Sequence, residues 1–517
     1  MAETSGNSGV PGGRRGNDRG RGSDRRGGNR RSDDRGRGSD RRGGNRRGDR
    51  GRPGREAPQD ERIGKNLPRR IAWEVLLDVA TKDAYANLLL PAKLARTHLN
   101  AQDAAFTTEL TYGALRRQKF YDAVITIAAS RAIDEIDPEP LAAMRLGAHQ
   151  LLSMRVPDHA ALSETVAVVK RSAAKTAGFV NAVLRRISEA DHDEWLARVT
   201  ANVSETTRLA IEHSHPEWIV RALTQALKGH ECDADELEAL LIADNAPARV
   251  GLSALPGLID RCELPGDATE LSPIGVTMDT AVPRDVRAVA DGRARVQDEG
   301  SALVALALAE VDAPAGPWAD LCAGPGGKAA VLGAAAAAES VRLEAFDSSD
   351  HRAELVRDST QALDNVSVEV RDGRRVRGPY SKVLVDVPCS GLGALRRRPE
   401  ARYRRQPSDI TALSGLQSEL LGAALDACAP GGVVAYSTCS PHFAETVLIV
   451  DEVLRRRAKS GTDDVEFLDA PSVLEAITGT QAQSFASVSR GEGRCAQLWP
   501  HVHNTDGMFL ALLRKAK

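Results

Sequence analysis

The sequence predicts a multidomain chain of 517 residues. A disordered Arg/Gly-rich tail covers residues 1–62 and an all-α domain 63–204. Linker helices and a small α+β subdomain cover 205–295, and a doubly wound, Rossmann-like α/β domain covers 296–517. Three observations predict this. Residues 1–62 are low-complexity, with GSDRRGGNRR at Gly22–Arg31 repeated letter for letter at Gly38–Arg47. From about Leu67 to Ile187 apolar residues recur at helical spacing. From Val296 onward, short apolar runs alternate with helical segments.

The tail can bury nothing, so disorder is its expected state. The chain is near charge balance, with 69 basic and 71 acidic residues. Residues 1–66 carry 19 of the former and 10 of the latter, which leaves an acidic body. A basic Arg/Gly arm of this kind suits a polyanion such as RNA. The N-terminus has no apolar signal core, and no run approaches 18 apolar residues, so a cytoplasmic location without a membrane span is expected. Seven cysteines with no C-x-x-C spacing exclude a disulfide scaffold and argue against zinc or another metal.

In the helical region Ile71, Val75 and Val79 fall on one face, as do Phe179, Val183 and Ile187 with Val180 and Leu184 alongside. The latter helix leaves Arg185 and Arg186 outward. Ser214–Trp218 reads as a helix entry, and Ala248–Ile274 is short-stranded and punctuated by Pro and Gly.

The α/β region offers strands at Trp318–Leu321, Val341–Phe346, Val366–Val370, Lys382–Val387, Gly432–Tyr436 and Gly507–Leu513. Helices are expected at Lys328–Ala338, Asp350–Leu363, Ser408–Cys428 and His442–Arg457. In such a sheet ligands gather at the carboxyl ends of the strands. There the sequence places Asp320-Leu-Cys322-Ala323-Gly324-Pro325-Gly326-Gly327-Lys328, then Asp347, Asp372, Asp386-Val-Pro-Cys389 and Cys439.

The glycines allow close backbone approach to a ligand, and the following helix presents its positive end. Asp347 lies 23 residues after Gly324, a spacing that suits a carboxylate gripping ribose hydroxyls. Gly324, Gly326 and Ala329 formally match a dinucleotide fingerprint. A phosphate loop does not fit, because Ala329 follows Gly327-Lys328. Hydride transfer requires no thiol, whereas two thiols and an acid suit covalent catalysis on an electron-poor ring. Thiolate addition at pyrimidine C6 makes C5 nucleophilic toward a methyl sulfonium, and an acid near N3 relieves the charge that builds. Ser440 reads as an N-cap and Pro441 as the first helical residue, which would put the Cys439 thiol before a helix N-terminus and favour its anion. Cys232, Cys262, Cys428 and Cys495 read as inert, and Cys322 as packing.

Two resemblances follow. Asp103–Phe106, Glu109–Arg116 and Gly178–Arg186 resemble the NusB-like RNA-binding domain. DLCAGPGGK, AFD, DVPCSG and YSTCS, with VQDEGS at Val296–Ser301 and TDGMF at Thr505–Phe509, resemble the RNA cytosine-5 methyltransferases of the Sun/Fmu and NOL1/NOP2 group. The order of modules is similar to its RsmB/Sun branch. This resemblance implies S-adenosylmethionine as cofactor and RNA, above all 16S rRNA, as substrate and partner. It implies that Cys322–Lys328 hold the methionine part, Asp347 the ribose, and that Asp372 lies near the adenine. It implies that Asp386 stands between cofactor and base, Cys439 is the nucleophile and Cys389 releases the product, with Lys328 also in the catalytic set. Arg185, Arg186, Arg396, Arg397 and Arg398 are the candidate RNA contacts. A tRNA cytosine-5 methyltransferase, a non-catalytic RNA-binding scaffold and a dehydrogenase are the alternatives.

Overall fold

A computed structural model describes residues 66–278, 283–462 and 464–517. The Arg/Gly-rich segment 1–62 and the RNA-binding role expected of it lie outside the described residues.

The first domain is helical, as its spacing predicts. Its principal helices include α1 (Leu67–Thr81), α2 (Ala101–Arg116), α3 (Pro138–Leu152), α4 (Asp158–Ser172) and α5 (Ala177–Ile187). The α1 stripe is buried at Ile71 and Val75. The α5 stripe is buried at Val180, Val183, Leu184 and Ile187, against Leu146 of α3 and Val169 of α4. Aliphatic side chains fill this core, helped by Phe120, Tyr121 and Trp195.

Helices α6 (Glu205–Glu212), α7 (Glu217–Gly229) and α8 (Glu236–Asn245) follow. Their apolar faces share a core with Leu392, Leu395 and Trp499 of the C-terminal domain. A four-stranded sheet comes next, in the order β2 (Asp267–Ala268), β3 (Gly275–Met278), β1 (Val250–Ala254), β4 (Ala294–Val296). Its pairs are antiparallel.

The C-terminal domain holds a nine-stranded sheet. Its parallel half runs β9 (Cys428–Thr438), β8 (Tyr380–Asp386), β5 (Trp318–Asp320), β6 (Leu343–Asp347), β7 (Val366–Val370). The strand order reverses at β5, so the switch-point crevice opens between β5 and β8. Alternate residues face opposite layers, as the two-residue strand period requires. Trp318, Leu384, Val433 and Ala435 face a core containing Val304 of α9 (Glu299–Glu310), Val331 of α10 (Gly327–Ala338) and Val356 of α11 (Asp350–Thr360). Ala319, Val383, Val385, Val434 and Tyr436 face Leu421 and Ala424 of α12 (Pro407–Ala427) and Val450 of α13 (Val447–Lys459).

The other half of the sheet is antiparallel. β13 (Phe509–Lys515) pairs with β9, then with β12 (Gly493–Gln497) and β10 (Val465–Phe467), and β12 pairs with β11 (Ala486–Arg490). The sequence announces β13 but not β10–β12, which are short and mixed in polarity. One expected helix is also corrected. His442–Arg457 does not run unbroken from Pro441: a 3₁₀ turn occupies Phe443–Glu445 and α13 starts only at Val447. No helix among the described residues is long and apolar enough to cross a membrane.

Candidate active site

The loop after β5 turns back on itself before entering α10. Ala323 N–H bonds to the Phe346 carbonyl at 2.9 Å, and Gly326 N–H to that of Ala323 at 2.7 Å. Gly326 stands at φ +106°, and a Cβ there would lie 2.4 Å from Ser359 Cβ. Only glycine suits that position. Gly324 approaches β6 so closely that a Cβ would lie 2.5 Å from Asp347 Oδ2. Asp347 accepts Gly324 N–H at 3.1 Å and Ser349 N–H at 2.9 Å, so the second strand end braces the glycine loop. Gln297, just before α9, lies against Gly327 and has a buried Oε1 without a hydrogen-bond partner.

Asp372 lies farther out, beyond the end of β7. It caps the turn Gly373–Arg375 and is clamped by Arg374, whose guanidinium holds its carboxyl below the usual range. Asp320, at the end of β5, is 1% exposed. Burial pushes its carboxyl up to about 7, against the opposing Cys322 N–H bond, with the Asp386 charge adding to the rise. Burial also pushes the Cys322 thiol well up, which fits packing rather than reaction.

On the other side of the crevice β8 and β9 set the thiols. Asp386 pairs in register with Ser437, so the chain ends leaving these strands run side by side. Ser437 Oγ donates to Asp386 Oδ1 at 2.9 Å, and Lys328 Nζ, from the start of α10, to Asp386 Oδ2 at 2.9 Å. Burial pulls the Lys328 ammonium down, but the facing carboxylate outweighs it and keeps the proton on.

Cys389 Sγ and Cys439 Sγ are 3.3 Å apart. The pair is asymmetric. The hydrogen bond from Cys389 lowers the Cys439 thiol below its ordinary value, with Lys328 and Arg398 helping against burial and Asp386. Cys389 is pushed well up, by that same bond, by burial, and by the negative Cys439, Glu445 and Asp386. These influences favour an anion at Cys439 over one at Cys389.

The geometry thus brings together Cys439, Cys389, Asp386, Lys328 and, across the crevice, the glycine loop with Asp347. It corrects the expected source of the thiolate. No helix starts at Pro441, so a helix end does not polarise Cys439; the Cys389 hydrogen bond and two cations do. The sequence reading gave no role to Asp320, Ser437 or Glu445. Asp320 opens the glycine motif, a signal that could have marked it.

The arginine run is a second correction. Arg396 is 6% exposed and pairs with Asp298 and Asp506, each at 3.0 Å. Arg397 binds the same two carboxylates at 2.5 and 2.9 Å. Arg396 is committed inside the protein rather than presented to phosphate, whereas Arg397 is half-buried and tied to the same carboxylates. Farther along, Arg402 is fully buried and donates to the carbonyls of Arg116, Ser214 and Asp244. Arg398 is exposed, as are Arg185 and Arg186 at the end of α5.

A Rossmann-like methyltransferase domain behind a NusB-like helical domain is the class this fold defines. A family model described as 16S rRNA methyltransferase RsmB/F matches residues 304–514, and the NusB family model matches residues 66–189. The chain belongs to the RsmB/F methyltransferase family. It is 46% identical over 459 residues to the Mycobacterium tuberculosis protein Rv1407, covering 86% of this chain and 96% of that one. It is 32% identical to ribosomal RNA small subunit methyltransferase B of Xanthomonas campestris, covering 80% and 90% of the two. The crystal structure of PH0851 shares the fold at TM-score 0.68 and 21% identity, over 87% of this chain and 99% of that one.

Proposed function

We propose that this chain transfers a methyl group from S-adenosylmethionine to C5 of a specific cytosine in 16S rRNA through a covalent Cys439–C6 intermediate. The observation that carries the reading is the contact of the Cys389 and Cys439 sulfurs at 3.3 Å beside the Lys328–Asp386 ion pair. The names of the matching family model and of relatives such as the Xanthomonas protein support 16S rRNA as the substrate.

The residues present fit the cofactor. The Gly324–Gly326 turn is a cradle that Cβ atoms would fill, Asp347 offers a carboxylate at ribose distance in sequence, and Gln297 Oε1 is a buried acceptor awaiting a donor. When bound, S-adenosylmethionine supplies an electrophilic methyl group. Cys322–Lys328 would line its methionine part, Asp347 its ribose, and Asp372 the rim toward the adenine.

Cys439 adds to C6 as the thiolate, and charge moves toward the base N3. A proton passed from Lys328 Nζ through Asp386 to N3 as C6 is attacked neutralises that charge, and it returns along the same path when the thiolate leaves. C5 then takes the methyl group. In the closing elimination water takes the C5 proton, its electron pair forms the C5–C6 double bond, and the Cys439–C6 bond breaks with its pair going to sulfur. Cys389, still protonated, is the hydrogen-bond donor that stabilises the departing Cys439 thiolate. The target base must be unpaired or turned out of its stack to be attacked on its face. Exposed Arg398, Arg185 and Arg186 are the proposed phosphate contacts.

Bisulfite sequencing of total RNA from cells with and without the gene tests this. Loss of one protected cytosine in 16S rRNA is the expected result. Loss in tRNA instead would keep the chemistry and change the substrate, and no change would overturn both. Cys389→Ala should in addition accumulate a protein–RNA adduct, which a non-catalytic scaffold would not form.

A further inference from the structure

The two cysteine loops are joined by a third residue. Glu445 is fully buried, in the 3₁₀ turn that precedes α13. Its carboxylate accepts the Ser390 backbone N–H at 2.7 Å, the Ser390 hydroxyl at 2.5 Å and the Ser440 hydroxyl at 2.7 Å. Gln417 Nε2, from α12, adds a fourth donor at 3.2 Å. Ser390 and Ser440 are the residues immediately after the two cysteines, and their hydroxyls are 3.1 Å apart. The turn itself is held by Tyr436, whose hydroxyl donates to the Glu445 carbonyl at 2.7 Å.

We propose that Glu445 is a positioning residue that clamps the Cys389 and Cys439 loops together and so sets the contact between their two sulfurs. This rests on the reading of Cys439 as nucleophile and Cys389 as the group that assists release. The clamp acts through the residue after each cysteine, so it sets the sulfur separation without touching either sulfur. Its charge also acts unevenly. The charged groups acting on the sulfurs are Asp386 from β8, Lys328 from α10, Arg398 from the loop after Cys389, and Glu445 itself. The cations favour an anion at Cys439, whereas Glu445 disfavours one at Cys389. Four donors converge on the Glu445 carboxyl and fix its position between the two loops. An apolar or amide replacement would keep the turn and lose the bias.

The test is site-resolved alkylation of the full chain by iodoacetamide across pH, read by peptide mass spectrometry, in wild type, Glu445→Gln and Ser440→Ala. In wild type Cys439 should alkylate faster than Cys389 at neutral pH. In Glu445→Gln that preference should fall by about tenfold, the equivalent of one pKa unit, as Cys389 gains reactivity. Ser440→Ala cuts one strut and keeps the charge. It should reduce the preference less, and it carries the test if Glu445→Gln does not fold. An unchanged ratio and pH profile in a folded Glu445→Gln variant, or in Ser440→Ala when only that variant folds, overturns the proposal. Failure of the underlying reading has a separate signature: Cys439→Ala would still methylate RNA.

Discussion

Lys328 Nζ and Asp386 Oδ2 meet at 2.9 Å across the switch point, one from the first turn of α10 and the other from the last residue of β8. This ion pair is the physical link between the glycine loop and the thiols.

Removing the lysine should therefore affect both halves of the site. Lys328→Met leaves the Asp386 carboxylate without its cation and takes a positive charge from Cys439. Lys328 lowers the Cys439 thiol, so its loss raises it. The alkylation midpoint of Cys439 should move to higher pH, and methyl transfer near neutrality should fall by about 10²–10³, the range for losing one preorganised electrostatic group. Alkylation kinetics against pH, alongside single-turnover rates, check this.

Asp347 should matter for the cofactor alone. Asp347→Ala removes the proposed ribose ligand and also the brace on Gly324 N–H and Ser349 N–H. Affinity for S-adenosylmethionine should fall by roughly 10–100-fold, the equivalent of a hydrogen bond to a charged group. RNA affinity should stay constant. Calorimetric titration of each ligand separates the two.

The arginine run predicts opposite phenotypes for neighbours. Arg396→Met strands the buried Asp298 and Asp506 carboxylates beside a single remaining arginine. It should destabilise the protein by about 3–5 kcal/mol, the range for breaking a buried pair, read from urea denaturation. Arg398→Ala should leave stability nearly unchanged and lower the salt slope of RNA binding by about one.

Two glycines give a backbone test. Gly326→Ala meets Ser359 and Val356 and demands a positive φ from an alanine. It should lower Tm, at a cost of about 1–3 kcal/mol, and weaken cofactor binding. Gly415→Ala, within α12 and facing open space, should instead stabilise by about 0.5–1 kcal/mol.

The layers of the fold were legible because they are written in local periods. Of the stripes at Ile71, Val75 and Val79 and at Phe179, Val183 and Ile187, all but Val79 and Phe179 are buried, and those two pack part-buried against the same core. The apolar runs ending at Asp320, Asp347, Asp386 and Cys439 place the candidate residues at strand ends, because turn chemistry and the two-residue strand period are local properties. Less was legible after β9. Short strands of three to five residues such as β10–β12 carry too few side chains for a period; β10 and β12 form because β13 offers a pairing edge, and β11 because β12 does.

By itself the sequence determined the succession of domains, the glycine loop and the pairing of two Cys-Ser motifs with an acid. Only the tertiary structure decided what each charge does. A row of arginines reads as a surface until Asp298 and Asp506, some hundred residues away in either direction, close around two of them. A serine and proline after Cys439 read as a helix start until Glu445 draws that segment into a turn against the Cys389 loop. The reason is common to both: a buried charge takes whichever partner the fold brings near, and nearness in space between distant segments leaves no mark in local spacing.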